Sequence, residues 1–333
     1  MKSLTSFFLR WIFGPLILIV LHLWSFGALY YSPVEPEFLR MWLAALYGAG
    51  IPLAVILRRS RKWAVLLPLA GFLCVLAYEY QIQPKKNACY PPEVGKTAYA
   101  EFKGDRVTLH NVRNADYRTV HDFETRWETR EYELKYLRTL DVFMSYWGMD
   151  AIAHVFVSFG FTQGRYLAVS VECRPEVGES YGMFKGFFKH YEIIYVWADE
   201  RDVVRLRTNY RKEDVYLYRT LLAPAQVRSL FVSMLERTNK LDKDPEFYNT
   251  VTDSCTNTIG NHIVEAKVFD LPFWKRRLLT GTLDRRLYQQ GLLETLGRSF
   301  PALRVQSRIN AKAQAADRDE DFSMKIRTHQ TKV

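Results

Sequence analysis

The sequence predicts an α+β protein: three N-terminal transmembrane helices followed by an antiparallel sheet with packed helices. Three observations predict it. Nearly all long apolar runs lie before residue 80. A basic cluster separates two of those runs. Beyond them, charged and aromatic residues interleave with short β-prone stretches bounded by Gly and turn residues. About 250 residues remain there, enough for one sizeable core. The expected organisation is an anchor over residues 1–80, a linker over 81–100, a folded domain over 101–275, and a basic helical extension with a disordered tail over 276–333.

The first apolar run, Trp11 to Tyr30, has about 20 residues, the length a bilayer core requires, with one polar interruption at His22. Lys2 and Arg10 precede it. A cleaved signal peptide is the alternative to an anchor, but the run is long and carries no A-x-A site. The second run is Met41 to Leu57 and the third Trp63 to Tyr78. Between them Arg58, Arg59, Arg61 and Lys62 place four basic residues in five positions. The other short loop, Ser32 to Glu37, carries Glu35 and Glu37 and no basic residue. The positive-inside rule puts 58–62 and the N-terminus in the cytoplasm and everything after about residue 81 outside. The alternative is a buried helical hairpin inside a soluble domain.

The formal net charge is +10. Such a balance points to nucleic acid, anionic lipid or another acidic partner. No nucleic-acid module is recognisable, so no nucleic acid is expected and anionic headgroups are. Part of the charge reads equally as solvated surface. Of four cysteines, Cys74 lies in an apolar run. Cys89 and Cys173 are a possible disulfide pair in an oxidising compartment, which leaves Cys255 odd. No CxxC or HExxH spacing occurs, and no metal or cofactor is expected.

Along the folded region, Phe102 to Val112 alternates like a strand, and 121–147 fits neither period cleanly. Ala151 to Phe161 and Tyr166 to Cys173 are β-prone and joined by Thr162-Gln163-Gly164-Arg165, so they predict a hairpin. Tyr191 to Trp197 and Val203 to Arg207 predict another, around Asp199 to Asp202. Pro224 starts a helix with Val227, Phe231, Met234 and Leu235 on one face. Pro245 opens a loop, and Asp253 or Ser254 caps a second helix from about Cys255 through Val264. Phe273 to Arg277 sets aromatic beside basic residues, as at a membrane interface or in a solvated helix turn. From about 310 onward the chain reads as disordered.

Cys255 falls in the first turn of that helix, where unpaired N–H groups and the dipole favour a thiolate. A nucleophilic thiol needs a base. His262 is seven residues further along the same helix, a rise of about 10 Å, too far to serve. His154 lies mid-strand and reads either as a satisfied core histidine or as the base. It shares a face with Ser158, as Ser170 shares one with Glu172. Glu172 is an odd charge between Val171 and Cys173. It is either a solvent-facing strand-edge residue or the group that orients His154. A thiolate at a helix N-terminus, a sheet histidine and a polar orienter follow the logic of papain-like sites. Here the histidine precedes the cysteine, a circular permutation.

The stretches His154-Val-Phe-Val-Ser-Phe-Gly-Phe161, Tyr191-Glu-Ile-Ile-Tyr-Val, Asp199-Glu-Arg-Asp202, Arg207-Thr-Asn209, Glu213-Asp-Val-Tyr-Leu-Tyr218 and Pro245-Glu-Phe-Tyr-Asn-Thr250, followed by Cys255-Thr256, resemble the Lnb N-terminal periplasmic domain family over about residues 95–275. Members often read Asn-Cys-Thr-Thr where this chain reads Ser254-Cys255-Thr256-Asn257. The family includes a bacterial lipoprotein N-acyltransferase and resembles permuted papain-like enzymes that pass acyl chains through a cysteine thioester. The resemblance implies a permuted papain-like (NlpC/P60-like) fold, Cys255 as nucleophile and His154 as base. It implies a bacterial inner-membrane protein with its C-terminal domain in the periplasm, and a membrane lipid or lipoprotein substrate. Arg205, Arg207 and Arg211 would receive phosphate headgroups or form a solvated strand face. The alternatives are a cysteine peptidase or amidase acting on cell-wall peptides, and a non-catalytic envelope scaffold.

Overall fold

The computed structural model describes residues 12–58, 60–267, 280–328 and 330. The chain divides into two units. One comprises residues up to Lys85 together with 179–192 and 247–250; the other comprises the rest.

In the first unit three helices follow one another: α1 (Gly14–Tyr30), α2 (Glu37–Arg58) and α3 (Arg61–Gln81). Pro15 sits at the start of α1, where its missing N–H costs nothing. Glu37–Ile56 and Lys62–Gln81 are each 20 residues and apolar enough to cross a bilayer. Two of the three expected spans therefore stand. Described α1 has 17 residues, about 25 Å at 1.5 Å per residue, and any extension before residue 12 lies outside the described residues. The helices pack through small residues. Gly71 takes the Tyr47 ring, Gly48 takes Phe26, and the His22 ring stacks on Tyr47 at 5.0 Å. Trp42, Leu46 and Ile56 are 64, 65 and 68 % exposed. A buried hairpin in a soluble core would hide these side chains; a lipid-facing surface presents them.

The second unit is α+β. Its strands are β1 (Tyr99–Lys103), β2 (Arg106–Arg113), β3 (Asp116–Tyr117), β4 (Phe123–Glu124), β5 (Trp127–Glu133), β6 (Leu137–Tyr146), β7 (Ala153–Phe161), β8 (Tyr166–Arg174), β9 (Glu192–Ala198) and β10 (Asp214–Arg219). Eight form a mixed sheet ordered β1-β2-β9-β8-β7-β6-β10, with β5 also on β2; β3 and β4 pair separately. The sheet is not wholly antiparallel, because β2 meets β9 in parallel at Arg113 and Ala198. The single strand expected over 102–112 is a hairpin, turned at Gly104 with φ +62°. The β7–β8 hairpin forms as predicted.

The second predicted hairpin does not form. Residues after β9 enter α4 (Glu200–Arg205) and a π-helical turn, Leu206–Tyr210. Asp199 caps α4, its side chain accepting from Arg201 N. Next come α5 (Pro224–Lys243), α6 (Cys255–Glu265), α7 (Leu283–Gln289), α8 (Phe300–Ser307), α9 (Asn310–Ala315) and α10 (Phe322–Lys325). Ser254 caps α6 through Asn257 N at 3.4 Å. The stretch 273–277 lies outside the described residues.

The segment from 310 to 328, read above as disordered, is folded. Ile309, Ala313, Ala316, Phe322 and Ile326 join Phe143, Phe156, Ala168 and Val203 in one core cluster. Arg327 donates to Glu200 and Asp141, carboxylates with no exposure, and its guanidinium lies 3.5 Å from the Tyr166 ring centroid. Short apolar spacings in a polar segment were enough to dock it.

Candidate active site

The site is built where β7, β8 and the start of α6 meet. Ser170 and Glu172 share a face of β8 because they are two residues apart, and His154 of the adjacent β7 meets Ser170. Ser170 Oγ donates to Glu172 Oε1 at 2.7 Å. A hydroxyl has one proton, so at His154, 2.7 Å away, Ser170 Oγ must accept from Nε2–H. This fixes the tautomer: His154 carries its proton on Nε2, and the Nδ1 lone pair remains for a base. His154 Nε2 and Glu172 Oε1 are 3.9 Å apart, so Glu172 acts on the imidazole through Ser170.

Glu172 is held as an anion. Burial pushes its carboxyl up, but Arg207, donating at 3.1 Å, reverses the sign and holds it well below the ordinary range. Arg207 also faces Glu213, whose carboxylate accepts from Ser145 at 2.5 Å, and lies over the Phe156 ring. Burial and the Arg207 charge lower His154 to about 3, so the imidazole is neutral at ordinary pH.

Cys255 is 9 % exposed. Its Sγ accepts from Val155 N–H at 3.5 Å, the peptide that follows His154. The β7–β8 pairing ends at Val157 and Val169, two residues short of Val155, whose N–H goes to the thiol. Burial raises the thiol, and the Val155 and Thr256 donors only partly offset this. The helix N-terminus therefore does not deliver the resting thiolate that the sequence suggested; the resting pair is a neutral thiol and a neutral imidazole. Sγ and the His154 ring are brought to adjacent residues of β7 without a hydrogen bond joining them, and catalytic bonds often tighten only with substrate bound.

His262 is occupied elsewhere. Its Nε2 meets Tyr195 OH at 2.7 Å and its Nδ1 meets Ser233 Oγ at 2.8 Å. Ser158 Oγ is buried without a hydrogen bond among the described residues. Arg205 and Arg207 are 2 and 5 % exposed and paired with Asp116, Asp317, Glu172 and Glu213, so neither offers its charge to a headgroup; Arg211 is exposed. Among the described residues no disulfide joins Cys89 to Cys173. The sequence reading missed Ser170 as the link and Arg207 as the counter-ion. The two-residue period exposed the first. A π-helical turn read as a strand hid the second.

No curated protein and no solved structure matches the chain. Residues 123–281, which contain every residue of this site, match the model of the Lnb N-terminal periplasmic domain.

Proposed function

We propose that this envelope protein is a membrane-anchored periplasmic cysteine acyltransferase that moves lipid or lipoprotein acyl groups through a thioester. The observation that carries the reading is the Glu172–Ser170–His154 relay beside the Cys255 thiol. Such a relay has a purpose if Nδ1 removes the thiol proton as sulfur attacks. Cys255 Sγ bonds to an ester carbonyl carbon while Nδ1 takes the S–H proton. Charge builds on the carbonyl oxygen, and first-turn N–H groups of α6, including that of Cys255, have no partner within the helix and are the donors for it. The C–O bond then breaks, and the imidazolium returns its proton to the leaving alcohol. An amine attacks the thioester and carries the acyl chain away, regenerating the thiol; with water the product is a free acid. The lowered basicity of His154 does not forbid this, because the imidazolium exists only transiently beside the Glu172 charge.

In this reading α1, α2 and α3 all span the membrane, with the N-terminus and 58–62 cytoplasmic and the domain periplasmic, so a water-insoluble substrate is met at its own surface. The test incubates the full chain in phospholipid vesicles with a diacylated lipopeptide and records intact mass. An acyl-sized addition that disappears in Cys255→Ala, and falls strongly in His154→Ala, supports the proposal. Folded protein with no adduct and no lipid turnover overturns it, and cleavage of peptidoglycan fragments would redirect it to a peptidase.

A further inference from the structure

Between β8 and β9 the chain makes an excursion, residues 179–192, that belongs to the same unit as α1–α3. One side of this segment is fastened to the helices. The Phe188 ring sits so close to Gly27 of α1 that a Cβ there would lie 2.3 Å from its Cζ, and it stacks on Tyr31 at 5.4 Å. His190 Nδ1 meets Tyr31 O at 3.1 Å, and Lys189 Nζ donates to Glu79 O at 2.8 Å near the end of α3. The C-terminal ends of α1 and α3 therefore lie at the same level, marked by exposed Tyr30 and Tyr80.

The segment is also braced within itself. Thr250 N donates to Gly186 O at 2.8 Å, and Tyr191 OH donates to Ser180 O at 2.7 Å. It also carries Tyr181, Met183 and Phe184, which are 58, 44 and 68 % exposed. Folding does not bury these side chains, yet the segment holding them is fixed by hydrogen bonds and an aromatic lock. Large apolar groups kept outward on a fixed support mark an interaction surface. Aromatic and amphipathic residues at the end of a membrane helix fit the boundary between headgroups and acyl chains.

We infer that Tyr181, Met183 and Phe184 form a membrane-inserted edge, with lipid of the adjacent leaflet as its partner. The occupant follows from continuity: the same unit presents lipid-type surface along α2 and α3, and the segment extends that surface past the helix ends. This rests on reading the helices as membrane spans and is independent of the Cys255 chemistry.

The test places a benzophenone amino acid at position 184 of the full chain, reconstituted in phosphatidylethanolamine–phosphatidylglycerol vesicles. Parallel samples carry it at Leu46 on α2 and at Val305 on α8, which are 65 and 79 % exposed. After illumination, a lipid-sized mass on the peptide containing residue 184, several-fold above that at 305 and retained in a Cys255→Ala background, is expected. Lipid at 46 with none at 184 overturns the inference alone. Lipid at neither overturns the span reading with it.

Discussion

Replacing Arg327 by Met tests whether the C-terminal segment is part of the core. Glu200 has no exposure, and both its oxygens accept from Arg327. Among the described residues no other base bonds to it. Asp141 loses one bond but keeps Arg219 at 2.6 Å. The substitution preserves much of the side-chain volume, so the cost is the stranded Glu200 carboxylate. Breaking a buried pair by removing one partner costs about 3–5 kcal/mol. For a domain of this size each kcal/mol lowers the melting midpoint by about 2–4 °C, which gives a fall of roughly 6–20 °C. Tryptophan fluorescence of the full chain in detergent would follow it. Adding Glu200→Gln should recover most of the loss, because no charge is then left unpaired. Lys at 327 should recover part, since an ammonium cannot bridge two carboxylates as a planar fork does. A fall under about 2 °C for the single variant, less than 1 kcal/mol on that scale, would refute the reasoning.

Ser170→Ala should leave the fold intact but strip His154 Nε2–H of its acceptor. At about 1–3 kcal/mol for an unsatisfied buried donor, thioester formation should slow by roughly 5- to 150-fold, and an unchanged rate would remove Ser170 from the relay. Alkylation of Cys255 by iodoacetamide should be slow at neutral pH and climb without a plateau as pH rises, because burial holds the thiol protonated; a rate that is already fast and flat at pH 6 would mean a preformed thiolate. The His154 imidazole binds its proton less readily folded than unfolded. Its contribution to stability is therefore complete above the unfolded value near 6.5 and is lost as pH falls from there toward about 3, and urea midpoints of wild type and His154→Gln should converge over that window. Parallel curves would contradict it. By the same lowered value, the acid limb of activity should lie well below pH 6; a limb at 6.5 that vanishes in His154→Gln would be inconsistent with a buried base.

The β7–β8 hairpin was legible because two apolar, β-prone stretches joined by a short turn containing Gly allow few other structures. The Cys255 helix was legible from its cap. Residues 200–210 were not. Val-Val-Arg-Leu-Arg satisfies a strand pattern as readily as one helical face, and only the Asp199 cap decides between them. The consequence reached the site, since on a strand Arg207 reads as a headgroup receiver or a solvated face, while in the fold it donates to Glu172. The segment after 310 was misread for a related reason. Its composition is polar on average, while the few residues that dock, Ile309, Ala313, Phe322 and Ile326, are spaced for a face. The charge Arg327 brings has value only to carboxylates more than a hundred residues earlier, 186 in the case of Asp141, and no local pattern reveals that.

That separation also governs when the protein can mature. Asp141 and Glu200 are buried in the sheet domain, and the Arg327 cation that both accept from arrives 186 and 127 residues later. While the chain is being exported, both acids wait without it, and the surface that Phe322 and Ile326 will cover stays wet. Long-range closure of this kind makes folding slow. The domain should reach its protease-resistant form only after Arg327 has been exported, so an arrested chain ending before Arg327 would be degraded rather than stored.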